Sequence, residues 1–238
     1  MELFLRAFKP ANNLTLAQRA EIILHQQRII SDELKFWTWF VDRTELDIRQ
    51  DSSYDIIYAQ VKKGMNAKMV KITRYNPNDT PDLQSSCIFV YSRKLQDSLV
   101  ITHRLGFFSH PFQESESISI DKINNPIQFE SQEVIEGLVN KIISSYKPIT
   151  LYLSSKNYFH SVAKNPDNIP WTGWLTYLDN SIKIPATYPD FCEVKKTLSG
   201  NLFKTTSDLF NEDNPQHTDN ALKLEKWFVD NSVLLSST

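Results

Sequence analysis

The stretch Gly173-Trp-Leu-Thr-Tyr-Leu178 constrains the fold more than any other part of the chain. Read as a strand, it places Trp174, Thr176 and Leu178 on one face and Leu175 and Tyr177 on the other. Both faces carry apolar bulk, so the strand is expected inside a sheet with a layer packed on each side. Gly173 suits a point where a neighbouring group approaches the backbone closely. Trp171, ahead of the strand and beside Pro170, is expected at the surface, as a candidate contact for a partner.

The segments around it supply the layers. Residues 2–8 and 148–155 read as strands, as does 117–123. The runs 86–93 and 98–105 are rich in β-branched and aromatic residues and are separated by a short polar turn, which predicts a hairpin. A second hairpin is expected over 191–207, turning near Ser199-Gly200. Thr15 with Gln18 matches a capping box, which predicts a helix from there to about residue 35. Val134, Ile135, Leu138, Val139, Ile142 and Ile143 form one helical stripe behind Ser131, a candidate cap. Asn214-Pro215 signals a last helix, with Ala221, Leu224 and Phe228 on its buried side and Trp227 next to them. Residues 55–64 read as a short helix stopped by Gly64, and 66–75 as a strand. The run 76–82, with two prolines, reads as a loop. The aromatic cluster Phe36-Trp-Thr-Trp-Phe40 fits either a helix or a strand. Strands therefore come in adjacent pairs between helices. That predicts an α+β fold: a mostly antiparallel sheet flanked by helices, over 1–238 as one domain or two closely packed lobes meeting near 106–118.

Chemistry is sparse. The chain of 238 residues has only five glycines and shows no Gly-rich phosphate loop, nucleophile elbow or zinc-protease motif. Its five histidines, His25, His103, His110, His160 and His217, are scattered, with no pair at metal-ligand spacing. Neither cofactor nor metal is expected. The net charge of −2 argues against direct nucleic-acid binding. So does the absence of Lys or Arg over 165–181, where stacking aromatics would need them. Met1–Pro10 has Glu2 where a signal peptide has basic residues, and no apolar run approaches the about 20 residues of a membrane span. With Cys87 and Cys192 alone, a disulfide framework is excluded and a cytoplasmic location with reduced thiols is expected.

One catalytic constellation competes. A Mg²⁺-dependent nuclease of the restriction type uses an Asp followed by Glu-x-Lys. Glu193 and Lys195 share one strand face as that chemistry needs, while Asp190 points the other way and Asp179 would have to substitute from a neighbouring strand. The competing reading is a charge pair on a hairpin.

The C-terminal third, with Gly173, Trp174, Tyr177, Gly200, Thr205, Thr206, Phe210, Pro215 and His217 at their positions, resembles the immunity protein 52 family of bacterial toxin–immunity systems over about residues 125–235. The resemblance implies a non-enzymatic cytoplasmic protein. Its partner would be a cognate toxin, delivered by a contact-dependent system such as type VI secretion and in many members nuclease-like. An adaptor of a secretion apparatus stays open beside it. A nuclease presents a basic groove, so an inhibitor covering it carries acidic groups. Residues 42–55 hold five carboxylates against two arginines, which makes Asp47, Asp51 and Asp55 the first candidates for partner contact. Glu114 and Glu116, in a loop-like segment, follow, together with Trp171.

Overall fold

A computed structural model describes residues 3–10, 14–69, 85–92, 98–105, 115–123, 131–164, 166 and 168–235. Among the described residues ten strands form one sheet: β1 (Leu3–Pro10), β2 (Thr38–Val41), β3 (Thr44–Asp47), β4 (Ser85–Ser92), β5 (Ser98–Leu105), β6 (Ser115–Ile123), β7 (Thr150–Ser155), β8 (Leu175–Asp179), β9 (Glu193–Lys196) and β10 (Gly200–Lys204). Their order is β3-β2-β4-β5-β6-β1-β7-β8-β10-β9. Every pairing is antiparallel. Helices α1 (Leu16–Leu34), α2 (Ser53–Met69), α3 (Gln132–Tyr146) and α4 (Pro215–Asp230) flank it. The architecture is the expected α+β one.

Alternation along the strands assigns the faces. Leu3, Leu5 and Ala7 of β1, Leu151 and Leu153 of β7 and Leu99 and Ile101 of β5 pack in the same core as Ala20, Ile23 and Ile30 of α1 and Ile135, Leu138 and Val139 of α3. On the opposite face Leu178 and Phe203 pack with Leu224 and Phe228 of α4. Trp174, Leu175, Thr176, Tyr177 and Leu178 are all buried, so the doubly apolar strand is covered on both sides. At Gly173 a Cβ would stand 2.5 Å from the Leu153 carbonyl oxygen, the close approach that the glycine predicted.

Local signals place most elements. The Thr15 side chain accepts the Gln18 N–H while the Gln18 side chain bonds back to the Thr15 N–H, closing the capping box of α1. Asn214 caps α4 through the Gln216 N–H, with Pro215 in the first turn. Ser131 sits at the N-cap of α3 without a side-chain cap bond. The aromatic cluster resolves in part as a strand: Thr38–Phe40 enter β2, with Trp39 and Val41 inward and Thr38 and Phe40 outward, while Phe36 and Trp37 lie ahead of it and Phe36 is buried. The two-residue turn that follows, Asp42-Arg43, takes left-handed backbone at both positions, φ 47° and 68°, as a tight hairpin demands.

Two expectations fail. Helix α2 starts at Ser53 and runs through Gly64 to Met69, so residues 66–69 are helical rather than extended. A mid-helix glycine costs only about 1 kcal/mol against alanine, and Met65, Ala67, Lys68 and Met69 around it are strong helix formers. The remainder of the expected strand, 70–75, lies outside the described residues, as does the loop at 76–82. Trp171 is half-buried rather than displayed. It meets Tyr152, Phe159 and Phe8 with ring centroids 4.9, 5.0 and 5.7 Å away. Edge-to-face contacts of this kind favour clustering aromatic rings over exposing them.

Candidate functional site

The acidic stretch wraps the β3 end of the sheet. Five carboxylates there divide into two groups. Asp42 receives Lys63 Nζ at 2.5 Å and Gln60 Nε2 at 3.3 Å, and these bonds hold its carboxyl below the usual range. Asp47 accepts two side-chain bonds from Arg49, at 2.9 and 2.6 Å, plus the Arg49 N–H at 3.1 Å. Those bonds likewise lower its pKa. The Arg49 guanidinium also lies over the Trp37 ring, 5.4 Å from its centroid. Asp47 is thus engaged within its own hairpin. Glu45, Asp51 and Asp55 are exposed, and no ion pair joins them to a cation among the described residues. Asp55 lies in the first turn of α2, where the helix dipole favours negative charge. The rim is fastened from behind: Ser53 Oγ donates to the Asp47 carbonyl at 2.7 Å, and Arg28 Nε of α1 donates to the Ile48 carbonyl at 2.7 Å. The outward carboxylates therefore stand on a fixed base.

The other expected contacts lie elsewhere. Glu116 belongs to β6, opposite Lys9 of β1, within the sheet and away from the β3 rim. Glu114 lies outside the described residues. Trp171 belongs to the aromatic cluster on the face opposite α1 and α3. Glu45, one of the five carboxylates of this stretch, is not among the contacts expected from the sequence. Its signal is the strand alternation itself, since the buried Leu46 forces its neighbour outward.

The Glu-x-Lys pair occupies β9, at the other edge of the sheet. Glu193 and Lys195 do share a face, and they share it with Lys204 of β10 and Glu136 of α3. Lys204 Nζ lies 2.6 Å from Glu136 Oε1. Burial raises the Glu136 carboxyl, but hydrogen bonds from Lys204 and Gln132, with the charges of Lys204 and Lys195, carry it below the usual carboxylate range. Asp179 cannot complete a nuclease site. Glu193 stands opposite Lys204, which stands opposite Leu175, while Asp179 is opposite Gly200 at the far end of the same strands. Four residues of strand separate them, about 13 Å. Among the described residues no three His, Cys, Asp or Glu side chains gather as a metal site would require.

A cleft of about 650 Å³ opens beside β9, lined in part by Cys192, Glu193, Thr206, Asp208 and His217. Nothing in the sequence foretold it, because its walls come from segments brought together only by the β9–β10 hairpin and α4. Its histidine and its thiol are committed. His217 Nδ1 accepts the Asn211 N–H at 3.0 Å, which leaves the ring proton on Nε2, 3.2 Å from Thr206 Oγ1. Burial and the neighbouring Asp190 push the Cys192 thiol up to about 12, so it stays protonated at neutral pH.

The residues of the sequence resemblance interlock. Trp174 Nε1 donates to the Thr206 carbonyl at 3.2 Å, and Thr205 Oγ1 donates to the Gly173 carbonyl at 2.8 Å. Thr206 meets His217, whose ring lies 6.0 Å from that of Phe210. Tyr177 OH donates to Ser199 Oγ at 2.8 Å, and a Cβ on Gly200 would collide with the Leu178 carbonyl oxygen. The motif ties β8, β10 and the start of α4 together.

No family model matches the chain, and no curated protein matches it. Among solved structures, the Pseudomonas aeruginosa T6SS protein PA0821 is similar at 9% identity, with a TM-score of 0.47, over 85% of this chain and 67% of that one. Among the described residues no helix is long and apolar enough to cross a membrane.

Proposed function

We propose that this chain is a non-enzymatic binding protein that neutralises a cognate secreted toxin in the cytoplasm, and that it meets the toxin through the β3 end of its sheet. The observation that carries the reading is the rim of Glu45, Asp51 and Asp55, exposed and backed by fixed hydrogen bonds. Such a rim complements a surface rich in Lys and Arg, as the phosphate-binding groove of a nuclease is. The interlocked residues from Gly173 to His217 support the reading from the sequence side, by their resemblance to immunity protein 52. Their role here is to hold the fold, which leaves partner choice to surfaces elsewhere.

The test is co-expression with the product of the adjacent reading frame. Protection of the cells and a purified complex are the expected outcome. Absence of protection, with no complex at micromolar concentration, overturns the proposal. A complex that forms without toxicity of the partner would instead indicate an adaptor of a secretion apparatus.

A further inference from the structure

Among the described residues strand β9 is an open edge, and its sequence is complementary to itself. Thr197 N–H donates to the Gly200 carbonyl at 2.8 Å, so residues 197, 195 and 193 turn their backbone groups inward to β10. Val194 and Lys196 therefore direct their N–H and C=O groups outward from the sheet. An incoming strand must match that phase. For an antiparallel second copy of the same strand, one in-phase register sets Val194 against Val194 of the second copy. Glu193 then stands directly opposite Lys195 of the second copy, and Lys195 opposite its Glu193. Both are non-hydrogen-bonded positions, where facing side chains lie closest. The neighbouring in-phase registers bring Lys195 onto Lys195 or Glu193 onto Glu193. Charged residues on an edge ordinarily discourage pairing. Here they discourage these alternatives and favour the one between them.

We propose that β9 is a self-association seam, at which a second copy of this chain adds its own β9 antiparallel, Val194 on Val194, and extends the sheet across a two-fold axis. The charge rows support this assignment. Within the chain Glu193 faces Lys204, but Lys195 faces the apolar Leu202 across the hairpin. A second copy supplies Lys195 with the cross-strand carboxylate that β10 lacks. Leu198, at the tip of the same hairpin, is fully exposed, and this register sets it beside the Asp190–Cys192 turn of the second copy. Four-residue strands bury less than the about 1,200 Å² of a stable interface, so the dimer is weak and transient. The same face cannot arise at β3. There the two in-phase antiparallel self-pairings that engage most of the strand bring Glu45 onto Glu45 or Asp47.

Sedimentation of the full chain over a wide concentration range tests the proposal. The native protein should shift from monomer towards dimer as concentration rises. E193K and K195E should each stay monomeric at the highest concentration, with unchanged circular dichroism and a single cooperative unfolding transition as the check on folding. An equimolar mixture of the two variants should dimerise, because the Lys-Val-Lys edge of one then faces the Glu-Val-Glu edge of the other. The double exchange E193K/K195E should dimerise with itself. A native protein that is monomeric throughout overturns the proposal. So do single variants that dimerise as the native protein does, and so does a mixture that remains monomeric.

Discussion

The two ends of the sheet are built alike inside and differently outside. Each closes with a four-residue edge strand, and each is anchored by a fully buried tryptophan whose indole N–H is satisfied. Trp39 donates to Ser31 Oγ at 2.8 Å and Trp174 to the Thr206 carbonyl at 3.2 Å. Outside, the β3 end carries an acidic rim that repels a copy of itself and suits a basic partner. The β9 end alternates Glu and Lys and suits its own copy. The comparison teaches that the interior fixes where an edge lies, while a few exposed charges decide what may join it.

The largest expected effects test the shared interior. Trp39→Ala and Trp174→Ala should each cost about 3–5 kcal/mol of unfolding free energy in denaturant titration, since both leave a large cavity and an unpaired acceptor. A loss confined to one of them would break the symmetry of the two ends and mark the other tryptophan as peripheral.

The next effect belongs to the centre of the sheet, between the ends. His103 of β5 is buried, with Nε2 2.9 Å from Gln27 Oε1, and burial lowers its pKa from 6.5 to about 3. The unfolded chain takes up a proton below pH 6.5 and the folded chain does not until about pH 3. Stability should therefore hold above pH 6.5 and fall by about 1.4 kcal/mol per pH unit below it. His103→Gln should flatten that slope in acid titrations followed by fluorescence. An unchanged slope would show the histidine to be charged in the fold.

Gly200→Ala sharpens the comparison at the β9 end alone. A methyl there meets Tyr177 OH at 2.8 Å and the Asp179 Cα at 2.9 Å, so about 1–3 kcal/mol should be lost, against none for a substitution at the exposed Glu45. Smallest of all is Asp47→Asn. Its exposed pair with Arg49 should leave the melting temperature unaltered within error.

Much of this arrangement was legible in the sequence, and the gaps have physical causes. The caps at Thr15 and Asn214, the stripe of α3 and both hairpins are local signals, set by residues within a few positions of each other, and the structure reproduces them. Strand order is not local. β1 lies between β6 and β7, more than a hundred residues away, and no pattern within residues 3–10 encodes that choice. Helix α2 overran Gly64 because a weak stop yields to strong helix formers around it. At the candidate site, the excess of carboxylates over 42–55 was plain. Which of them remain available was not, because Arg49 turns back on Asp47 from two positions along the chain and Lys63 reaches Asp42 from the next helix. The Glu-x-Lys spacing does encode a shared strand face. Register excludes Asp179 as the aspartate of a nuclease site, because it sets Asp179 at the far end of the strands.

The most direct test of the β3 end as the partner-binding surface is the association rate with the product of the adjacent reading frame, measured by stopped flow at low and physiological salt. Glu45→Gln, Asp51→Asn and Asp55→Asn together remove the exposed rim and leave Asp47 with Arg49. Rim charges act mainly on the encounter, and salt screens them over about 8–10 Å. The account predicts an association rate several-fold lower in the triple variant, a flattened dependence on salt and a dissociation rate little changed. An association rate indifferent both to salt and to the triple substitution would contradict it.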